Sequence, residues 1–483
     1  MKLLQKDFTY YILLIITIII FLISINITKE STYKKIKNEQ FKILEKTKKD
    51  YGIKLILKGQ EKVLAYLYVD KDKMDKEYNK YDLGDIITIT AQEKEIKQKT
   101  LDNTFDYKKY LNNQKIYKVI EITDIEINTK SKNIFYKIKN KIIKRQEKIP
   151  KSKPYINSLI LGNNSYLEED VITSYRKSGI SHLFAISGTH INILLTILYT
   201  ILKKLKLKEN KISIITILFL IYYMFLTNFS MSVLRASIFT ILIIINKLLK
   251  LNIKNKNLLI LALFIITLNN PKNILNIGLQ FSVSITYYLI TYNKLINNKK
   301  TYLKKTLIIS YISTLVSLPI LVNSFYQINT LSVVYNLFFV PYVSFVLLPF
   351  TLITYIFPPF DNILKILIDI NENLSLLVSN INISNIIIKK LSIPLIIIYY
   401  ILITINFRKI EKNNNKFNII IIMFIILLSL RTVSGNQITF IDVDQGDSAL
   451  ITINGKTTLI DTGGNINYKN KEYKYQISKN KIL

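Results

Sequence analysis

Long apolar runs separated by short polar connections dominate the chain from residue 180 onward, and one more stands near its start. Ten runs rich in Ile and Leu reach or approach the roughly 20 residues that cross a bilayer as a helix. The pattern predicts a polytopic α-helical membrane protein with about 10 or 11 transmembrane helices. The runs cover residues 8–28, 183–202, 212–228, 233–247, 257–270, 274–292, 303–322, 331–357, 391–407 and 417–430.

The first apolar run is as long as a full span, and no small-residue cleavage pattern follows it. A cleavable signal peptide has a shorter apolar core and such a cleavage site. We therefore expect residues 1–28 to be a retained transmembrane anchor.

The polar region after the anchor has a different pattern. In residues 29–134, short runs of Ile, Val, Tyr and Thr alternate with polar residues, which is typical of strands. About five such runs favour a small β-barrel or sandwich, and an OB-type barrel fits that number. Residues 135–180 have an amphipathic, mostly helical pattern and lead into the apolar block at 181–431. Residues 437–483 again read as short strands, and predict a β-rich segment too short to close a core.

Charge along the apolar block predicts its orientation. Lys-rich connections at 203–211, 247–256 and 294–305 alternate with connections that carry little charge. By the positive-inside rule the Lys-rich connections are cytoplasmic. The N-terminus is then cytoplasmic and residues 29–180 lie outside. Segment 361–388 carries several charges on an apolar background, so it either lies in the interface as an amphipathic helix or crosses. We prefer the crossing, which places the C-terminal tail outside.

The overall charge adds little to this picture. The formal net charge is +33, but 61 of the 66 basic residues are Lys and only five are Arg. Lys, Asn, Ile and Tyr are abundant together, as an AT-rich genome would produce, so the charge alone is weak support for nucleic-acid binding. The chain has no Cys, which excludes disulfides and thiolate metal sites within it.

The stretch SHLFAISGTH (181–190) contains both histidines of the chain. Three interpretations stay open. The histidines could bind a metal if the Ser-Gly step brings them together, with a third ligand from Glu168, Glu169 or Asp170, although no compact His spacing is present. They could be polar residues at a membrane boundary. They could also belong to a breakable segment that lines an aqueous path, where non-helical backbone is tolerated at membrane depth.

Polar residues inside the apolar runs are the other candidates. Arg235 stands about three residues inside a predicted span. It could snorkel to the interface, or its planar guanidinium could serve a phosphate or a buried carboxylate. Gln280 and Asn336 interrupt two later runs, and contacts between helices explain them as readily as a pore does.

These residues carry a family resemblance. LILGNNSYLEEDVITSYRKSGISHLFAISGTHINIL (159–194) resembles the signature of the ComEC family of competence proteins, which are membrane channels for DNA uptake. SVLRASIF (232–239), NPKNILNIGLQFS (270–282) and YNLFFVP (335–341) resemble later family segments in the same order. The matching positions in the first stretch are Gly179, His182, Ser187, Gly188 and His190.

The resemblance extends to both flanking regions. TFDYKKYLNNQKIYKV (104–119) is similar to the end of the family's extracellular OB-like domain. The tail FIDVDQGDSALI…LIDTGG (440–464) resembles the opening of the family's metallo-β-lactamase-like domain. Positions that match this opening are Asp442, Gln445, Gly446, Asp447 and Asp461.

Two departures from the family pattern bear on activity. Asp444 stands where the family usually has Gly in a tight turn. The family's metal-binding His-x-His-x-Asp-His motif does not occur, since both histidines lie elsewhere. We therefore expect a truncated C-terminal domain and neither a catalytic metal site nor nuclease activity in this chain.

The resemblance implies a channel that imports single-stranded DNA through the cytoplasmic membrane and needs no cofactor. Its implied partners are the DNA strand, the lipid bilayer, a DNA receptor and a cytoplasmic translocation ATPase, and it could form a homo-oligomer. The absence of a GxxxxGK[ST] loop agrees with energy supplied by a partner. The DNA path would be lined by His182, Ser187, Gly188, His190, Arg235, Gln280 and Asn336. An outer OB-like domain could hold the strand by stacking bases on Tyr66, Tyr68 and Tyr107.

Two alternatives to an active channel remain. The chain could be a non-functional or split remnant of such a channel, completed in the second case by another polypeptide. It could instead transport a small molecule or an ion. That class favours acidic residues at mid-membrane and an inverted repeat, and neither is evident in the sequence.

Overall fold

The computed structural model describes two parts of the chain. The first is residues 7–412, except 26, 28, 50, 97, 98, 100–104, 299, 300 and 382–384. The second is residues 436–461, except 442, 444–446 and 455.

The alternating runs after the anchor form a closed five-stranded barrel, which confirms the predicted OB-like domain. Its strands follow the order β1-β2-β3-β5-β4, and β1 closes the barrel by pairing with β4. β3 and β5 are parallel, and the other pairs are antiparallel. One face of each strand fills the interior, as Ile53, Leu55 and Leu57 do in β2. The strands are β1 (Ile36–Lys49), β2 (Gly52–Lys58), β3 (Lys62–Tyr68), β4 (Ile86–Glu93) and β5 (Ile116–Thr129).

Short helices surround the barrel and connect it to the apolar block. Helix α2 (Met74–Lys80) lies between β3 and β4, and α3 (Tyr107–Asn113) lies between β4 and β5. Three helices follow the barrel: α4 (Ile134–Arg145), α5 (Lys153–Leu161) and α6 (Glu169–Lys177).

The apolar runs form helices. Seven helical segments in the described part of the chain are long and apolar enough to cross a membrane. They are Asp7–Ile25, Ser181–Lys204, Glu209–Leu226, Met231–Leu248, Leu303–Phe325, Ser332–Ile356 and Ile393–Glu411. Two predicted runs form shorter apolar helices, Asn255–Asn269 and Ile277–Thr291. The predicted run at 417–430 lies outside the described residues.

The helices of this block are numbered on from α6. Helix α1 (Asp7–Ile25), which comes before the barrel in the sequence, also belongs to this block and packs through Tyr10 against Leu258 and Ile260. The others are α7 (Gly188–Lys204), α8 (Glu209–Leu226), α9 (Met231–Leu248), α10 (Asn255–Asn269), α11 (Ile277–Thr291), α12 (Asn293–Asn297), α13 (Tyr302–Phe325), α14 (Ser332–Pro341), α15 (Leu348–Ile356), α16 (Asp361–Ser379) and α17 (Ile393–Glu411). A π-helical turn, Tyr342–Leu347, joins α14 to α15.

The barrel sits on one end of the helix block. Lys115 Nζ donates a hydrogen bond to Asn269 O, and Asn270 Nδ2 donates one to Asn113 O, both at 2.7 Å. Lys139 Nζ, on α4, donates to Phe225 O at 3.0 Å. The barrel therefore contacts the α8–α9 and α10–α11 connections. Because helices alternate in direction, the Lys-rich connections after α7, α9 and α11 lie at the opposite end.

The segment from α14 to α16 does not fit the predicted pair of crossings. Its first residue, Ser332, lies against Gly179, and the end of α15 accepts a hydrogen bond from Arg145 Nε at Tyr355 O, 2.8 Å. Both contacts are with residues on the barrel's side. Helix α16 then begins where the Asp361 carboxylate accepts hydrogen bonds from the backbone of Lys151 and Ser152 at 3.1 and 3.0 Å.

Helix α16 stays on that side along its length. It packs against α6, where Ser375 hydrogen-bonds Ser174, and it is not among the membrane-spanning candidates of the described chain. Strand β7 (Asn385–Ile387) follows it and pairs with β6 (Gln327–Asn329), after the end of α13. The interfacial alternative for residues 361–388 therefore agrees with the structure better than the preferred crossing. The charges along α16 agree with a position in the membrane interface.

The described part of the tail is a three-stranded antiparallel sheet in the order β10-β9-β8. Its strands are β8 (Gln437–Phe440), β9 (Ala449–Ile453) and β10 (Lys456–Ile460). This agrees with the β-rich pattern of the sequence.

Candidate functional site at the start of helix α7

The backbone between α6 and α7 is broken into short pieces. After α6 ends, Gly179 has a φ of +75°, a left-handed conformation that favours glycine. A Cβ at this position would lie 3.0 Å from the Ser332 Cβ. One 3₁₀ turn, Ser181–Leu183, follows before α7 starts at Gly188. The apolar run thus enters the helix block as irregular backbone.

His190 holds the first turn of α7 in place. The Ser187 side chain accepts a hydrogen bond from the His190 backbone N–H at 3.4 Å, and the Ser187 N–H donates to His190 Nδ1 at 3.2 Å. This is a capping box with histidine at the third helical position. Because Nδ1 accepts a hydrogen bond, the neutral ring carries its proton on Nε2. The side chain is only 1% exposed, and Nε2 has no hydrogen-bond partner in the described structure.

Arg235 lies beside this turn. It stands in the first turns of α9 with 7% of its surface exposed, and its Nη2 is 3.4 Å from the position that a Cβ on Gly188 would occupy. Its Nε has no hydrogen-bond partner, and none of the ion pairs between described residues includes it. A snorkelling side chain would reach the water, so its burial speaks against that interpretation. No buried carboxylate among the described residues neutralises it.

The structure does not bring all predicted path residues to this point. His182 is exposed, and its Nδ1 lies 3.2 Å from Gly179 O. Gln280 Nε2 donates to Ile274 O at 2.9 Å, which is an ordinary helix-to-loop contact. Asn336 is buried in α14, and its Oδ1 lacks a hydrogen-bond partner among the residues that the structure describes. Ser187, Gly188, His190 and Arg235 form the cluster. No hydrogen bond or ion pair within the described residues joins His182, Gln280 or Asn336 to Arg235.

A metal site at the histidines gains no support. No group of three His, Cys, Asp or Glu side chains in the described parts of the chain could hold a metal ion. Glu168 instead stands at the N-cap position of α6, and Glu169 and Asp170 lie in its first turn.

A second candidate surface lies on the barrel. Six aromatic side chains form what we call the aromatic row. Its rings contact one another in two groups of three, which are Tyr68, Tyr51 and Tyr66, and Tyr107, Tyr110 and Phe105. The ring centroids of Tyr51 lie 6.1 Å from Tyr66 and 5.9 Å from Tyr68. At the other end the centroids of Tyr107 and Tyr110 are 6.3 Å apart with nearly parallel planes. Tyr66 and Tyr107 pack against one apolar cluster around Leu64 and Leu111.

The aromatic row is open to solvent and carries positive charge. Tyr51 is 43% exposed, Tyr68 42% and Phe105 70%. Lys94 Nζ lies 5.2 Å from the ring centroids of both Tyr66 and Tyr68, and donates to the Tyr68 hydroxyl at 2.5 Å. A basic group among exposed rings suits stacked bases and their phosphates.

Comparison with known proteins gives this architecture a family. A family model described as "Competence protein" matches residues 159–413. This range is more than half of the chain. The chain belongs to the competence protein family. It is also 26% identical over 407 residues to ComE operon protein 3 of Bacillus subtilis (strain 168), an alignment that covers 80% of this chain and 52% of that protein. The chain thus spans about half the length of this curated relative. No solved structure matches it.

The competence-family range contains the cluster around Arg235 but not the barrel. It begins in α5 and includes α7, α9 and the segment from α14 to α16. The aromatic row therefore lies in the part of the chain that the family model does not cover.

Sequence reasoning found only half of the aromatic row. Tyr66, Tyr68 and Tyr107 of the aromatic row were predicted. Tyr51, Phe105 and Tyr110 were not, since their positions beside the other rings depend on how the strands and α3 pack together.

The competence-like tail is only partly described. Asp442, Asp444, Gln445 and Gly446 lie outside the described residues. Asp447 precedes β9, and Asp461 follows β10 with a φ of +55°. The Ser448 hydroxyl donates to Asp461 O at 2.8 Å, so a hydrogen bond from a side chain to the backbone joins the two positions.

Proposed function

We propose that this competence-family chain is a membrane channel that imports single-stranded DNA during natural transformation. The observation that carries the proposal is the buried, unpaired Arg235 beside the broken backbone at the start of α7. A cation held in a helix block without a carboxylate is costly unless it serves an anion. A DNA strand is a polyanion that would pass such a point.

The aromatic row supports the same substrate. It lies on the barrel, which sits over the end of the helix block at which α7 and α9 begin. Arg235 stands at the same end of the block, in the first turns of α9. A DNA strand held on the barrel by stacking would therefore lie close to this end. By the positive-inside rule the Lys-rich end is cytoplasmic, so the proposed direction of movement is from the barrel toward the Lys-rich connections.

The proposed partners follow from what the chain contains. The 483 residues hold no GxxxxGK[ST] loop for nucleotide binding. We propose that a cytoplasmic translocation ATPase supplies energy and that a separate receptor delivers the strand. Assembly into a homo-oligomer belongs to the same proposal.

The test is DNA uptake in a host that lacks its own channel protein. Labelled duplex DNA is supplied to cells that express the chain, and label protected from external nuclease is counted. We expect protected label with the natural sequence, its loss with Arg235→Ala, and its retention with Arg176→Ala. Arg176 is an exposed arginine on α6, so it controls for loss of a positive charge.

The result also separates the alternatives. Absence of protected label with every variant, while the protein is present in the membrane, contradicts an autonomous channel. Co-expression of a separate hydrolase-domain polypeptide then distinguishes a split channel from a remnant.

We also propose that the 483-residue chain does not itself hydrolyse DNA. Its two histidines are both at the start of α7, where they are not grouped with other ligands, and hydrolysis of this type relies on metal-activated water. Incubation of the purified chain with labelled single-stranded DNA and Zn²⁺ or Mn²⁺ should leave the DNA intact. Degradation that is stopped by a chelator would contradict this.

A further inference from the structure

We propose that Arg235, His190 and the first turn of α7 form a discrete binding site for one phosphate oxyanion, which we call the α7 anion site. The identification of its ligand as a phosphodiester of the DNA backbone rests on the proposed function. The site itself rests on the donors that the structure leaves unused.

The guanidinium is the first of these donors. Arg235 is buried, its Nε–H has no partner, and it forms no ion pair with a described residue. A planar fork of N–H groups matches the oxygens of a phosphate, which a lysine cannot do in the same way. Arg235 is one of only five arginines in a chain that otherwise uses lysine for positive charge.

The start of α7 supplies the second set of donors. The cap on Ser187 occupies the N–H groups of His190 and Ile191. The N–H groups of Gly188 and Thr189 have no hydrogen-bond partner among the described residues. A helix start with free N–H groups favours an anion, because the backbone dipoles point their positive ends toward it. Arg235 Nη2 approaches this same turn.

His190 contributes a third donor of fixed identity. Its Nδ1 accepts from the Ser187 N–H, so the neutral ring presents Nε2–H. That group is shielded from solvent and without a partner. Arg235 and His190 are thus two side chains, each more than nine-tenths buried, with unused donors at one helix start. Buried donors without partners are rare in folded proteins, which is why we infer a ligand.

Gly188 keeps the space between these donors free. A Cβ there would lie 3.4 Å from Arg235 Nη2, so a methyl group would occupy the gap between the guanidinium and the turn. Its φ is not in the left-handed region, and alanine is well tolerated at the start of a helix. Gly188→Ala should therefore obstruct the site while α7 remains intact.

The experiment uses the absence of Trp from the chain. Thr189 has an exposed side chain in the first turn of α7, so Thr189→Trp places a single indole reporter there. The full chain is held in nanodiscs of phosphatidylcholine, and indole fluorescence is followed during titration. Four probes are compared: a short oligothymidylate, the same oligomer with an uncharged methylphosphonate backbone, inorganic phosphate, and discs in which phosphatidylglycerol replaces part of the neutral lipid.

We expect a saturable response to the oligothymidylate and a weaker one to inorganic phosphate, but none to the methylphosphonate oligomer. Arg235→Gln and Gly188→Ala in the reporter background should weaken binding roughly tenfold or more, the size expected for losing hydrogen bonds to a charged group. Arg235→Lys should be intermediate, and Arg176→Gln should bind as the reporter alone. His190→Gln keeps a residue suited to the capping box and should weaken binding without loosening the turn.

Other outcomes decide against the proposal or reassign its ligand. An equal response to the methylphosphonate oligomer, or unchanged binding in Arg235→Gln, overturns the α7 anion site. A response to phosphatidylglycerol alone keeps the site and makes its ligand a lipid headgroup. Phosphate binding without DNA uptake in cells contradicts the proposed function and leaves the site standing. Normal uptake by Arg235→Gln contradicts a role of the α7 anion site in DNA import and leaves the proposed channel function standing.

Discussion

The Asp7 carboxylate accepts a hydrogen bond from the Lys254 ammonium group at 2.7 Å, and this pair places the start of α1 beside the start of α10. The barrel contacts the opposite end of α10, at Asn269. The N-terminus of α1 and the barrel are therefore on opposite sides of the helix block. The positive-inside rule gives this arrangement a direction, and the direction can be measured.

The first prediction concerns that orientation. The chain has no Cys, so any single introduced cysteine is the only thiol. We expect Lys71→Cys, beside the barrel's α2, and Lys272→Cys to react with a membrane-impermeant maleimide in intact cells. Lys206→Cys and Lys250→Cys, in the Lys-rich connections, should react only after permeabilisation. The opposite labelling pattern would invert the orientation and the proposed direction of DNA movement.

The second prediction concerns the segment from α14 to α16. Asn362 and Asn380 are exposed near the two ends of α16. Because α16 packs along α6 on the barrel's side, Asn362→Cys and Asn380→Cys should label from the same side as Lys272→Cys. Labelling of one position only after permeabilisation would show that α16 crosses the membrane.

The third prediction concerns the aromatic row. Replacing Tyr68 by Leu removes a ring that is exposed beside Lys94. Stacking of a base on an aromatic ring contributes about 1–3 kcal/mol, so affinity for short single-stranded DNA should fall by roughly 5- to 150-fold. Fluorescence anisotropy with the full chain in nanodiscs measures this. Tyr117→Leu, a half-buried tyrosine of β5 outside the row, is the matched control.

If Tyr68→Leu binds DNA as well as Tyr117→Leu does, the row serves another purpose. Helix α3 ends against the α10–α11 connection, so Phe105 and Tyr110 would then be rings anchored at the membrane interface.

The fourth prediction concerns pH. Burial lowers the pKa of Lys139 to about 8 and that of Lys46 to about 8, with nearby carboxylates opposing the change. Unfolded lysines titrate near 10.5, so the unfolded chain binds more protons between these values. Stability should therefore rise as pH increases from about 8 to about 10.5, by on the order of 1–3 kcal/mol per lysine.

Thermal unfolding of the detergent-solubilised chain between pH 7 and pH 10.5 measures the pH effect. Lys139→Met removes one titrating group, so its melting temperature should rise less steeply with pH than that of the natural chain. Lys71→Met, at an exposed position, should not change the slope. Identical slopes in all three proteins would mean that titration of Lys139 does not govern the junction between barrel and helix block.

The local parts of the fold were accessible from the sequence, because alternation and apolar length are local properties. The strands of the barrel and the nine apolar helices of the described residues follow from them. The parallel contact between β3 and β5 does not, since Tyr66 and Glu121 meet only after the chain has closed. Hydropathy also does not show whether an apolar segment turns back to the side on which it began. The sequence of Ser332–Ile356 therefore predicts a crossing, although both of its ends contact residues on the barrel's side.

The candidate site divides in the same way. Ser187, Gly188 and His190 form one capping motif, and their proximity is visible in ten residues of sequence. The approach of Arg235 to Gly188 depends on how α7 and α9 pack, which the pattern of either helix leaves undetermined. The sequence also left open whether Arg235 pairs with a carboxylate of the chain, and the structure shows no such carboxylate among the described residues.

Closure of the barrel also limits how copies of this protein can associate. In the described strands, the first half of β1 pairs with β4 and its second half pairs with β2, so the barrel closes and none of these strands has a whole edge unpaired. Copies crowded in one membrane therefore find no whole strand edge at which to join their barrels. Any ring or pair that they form must be made through side chains on the outer faces, where single substitutions can separate the subunits without unfolding them.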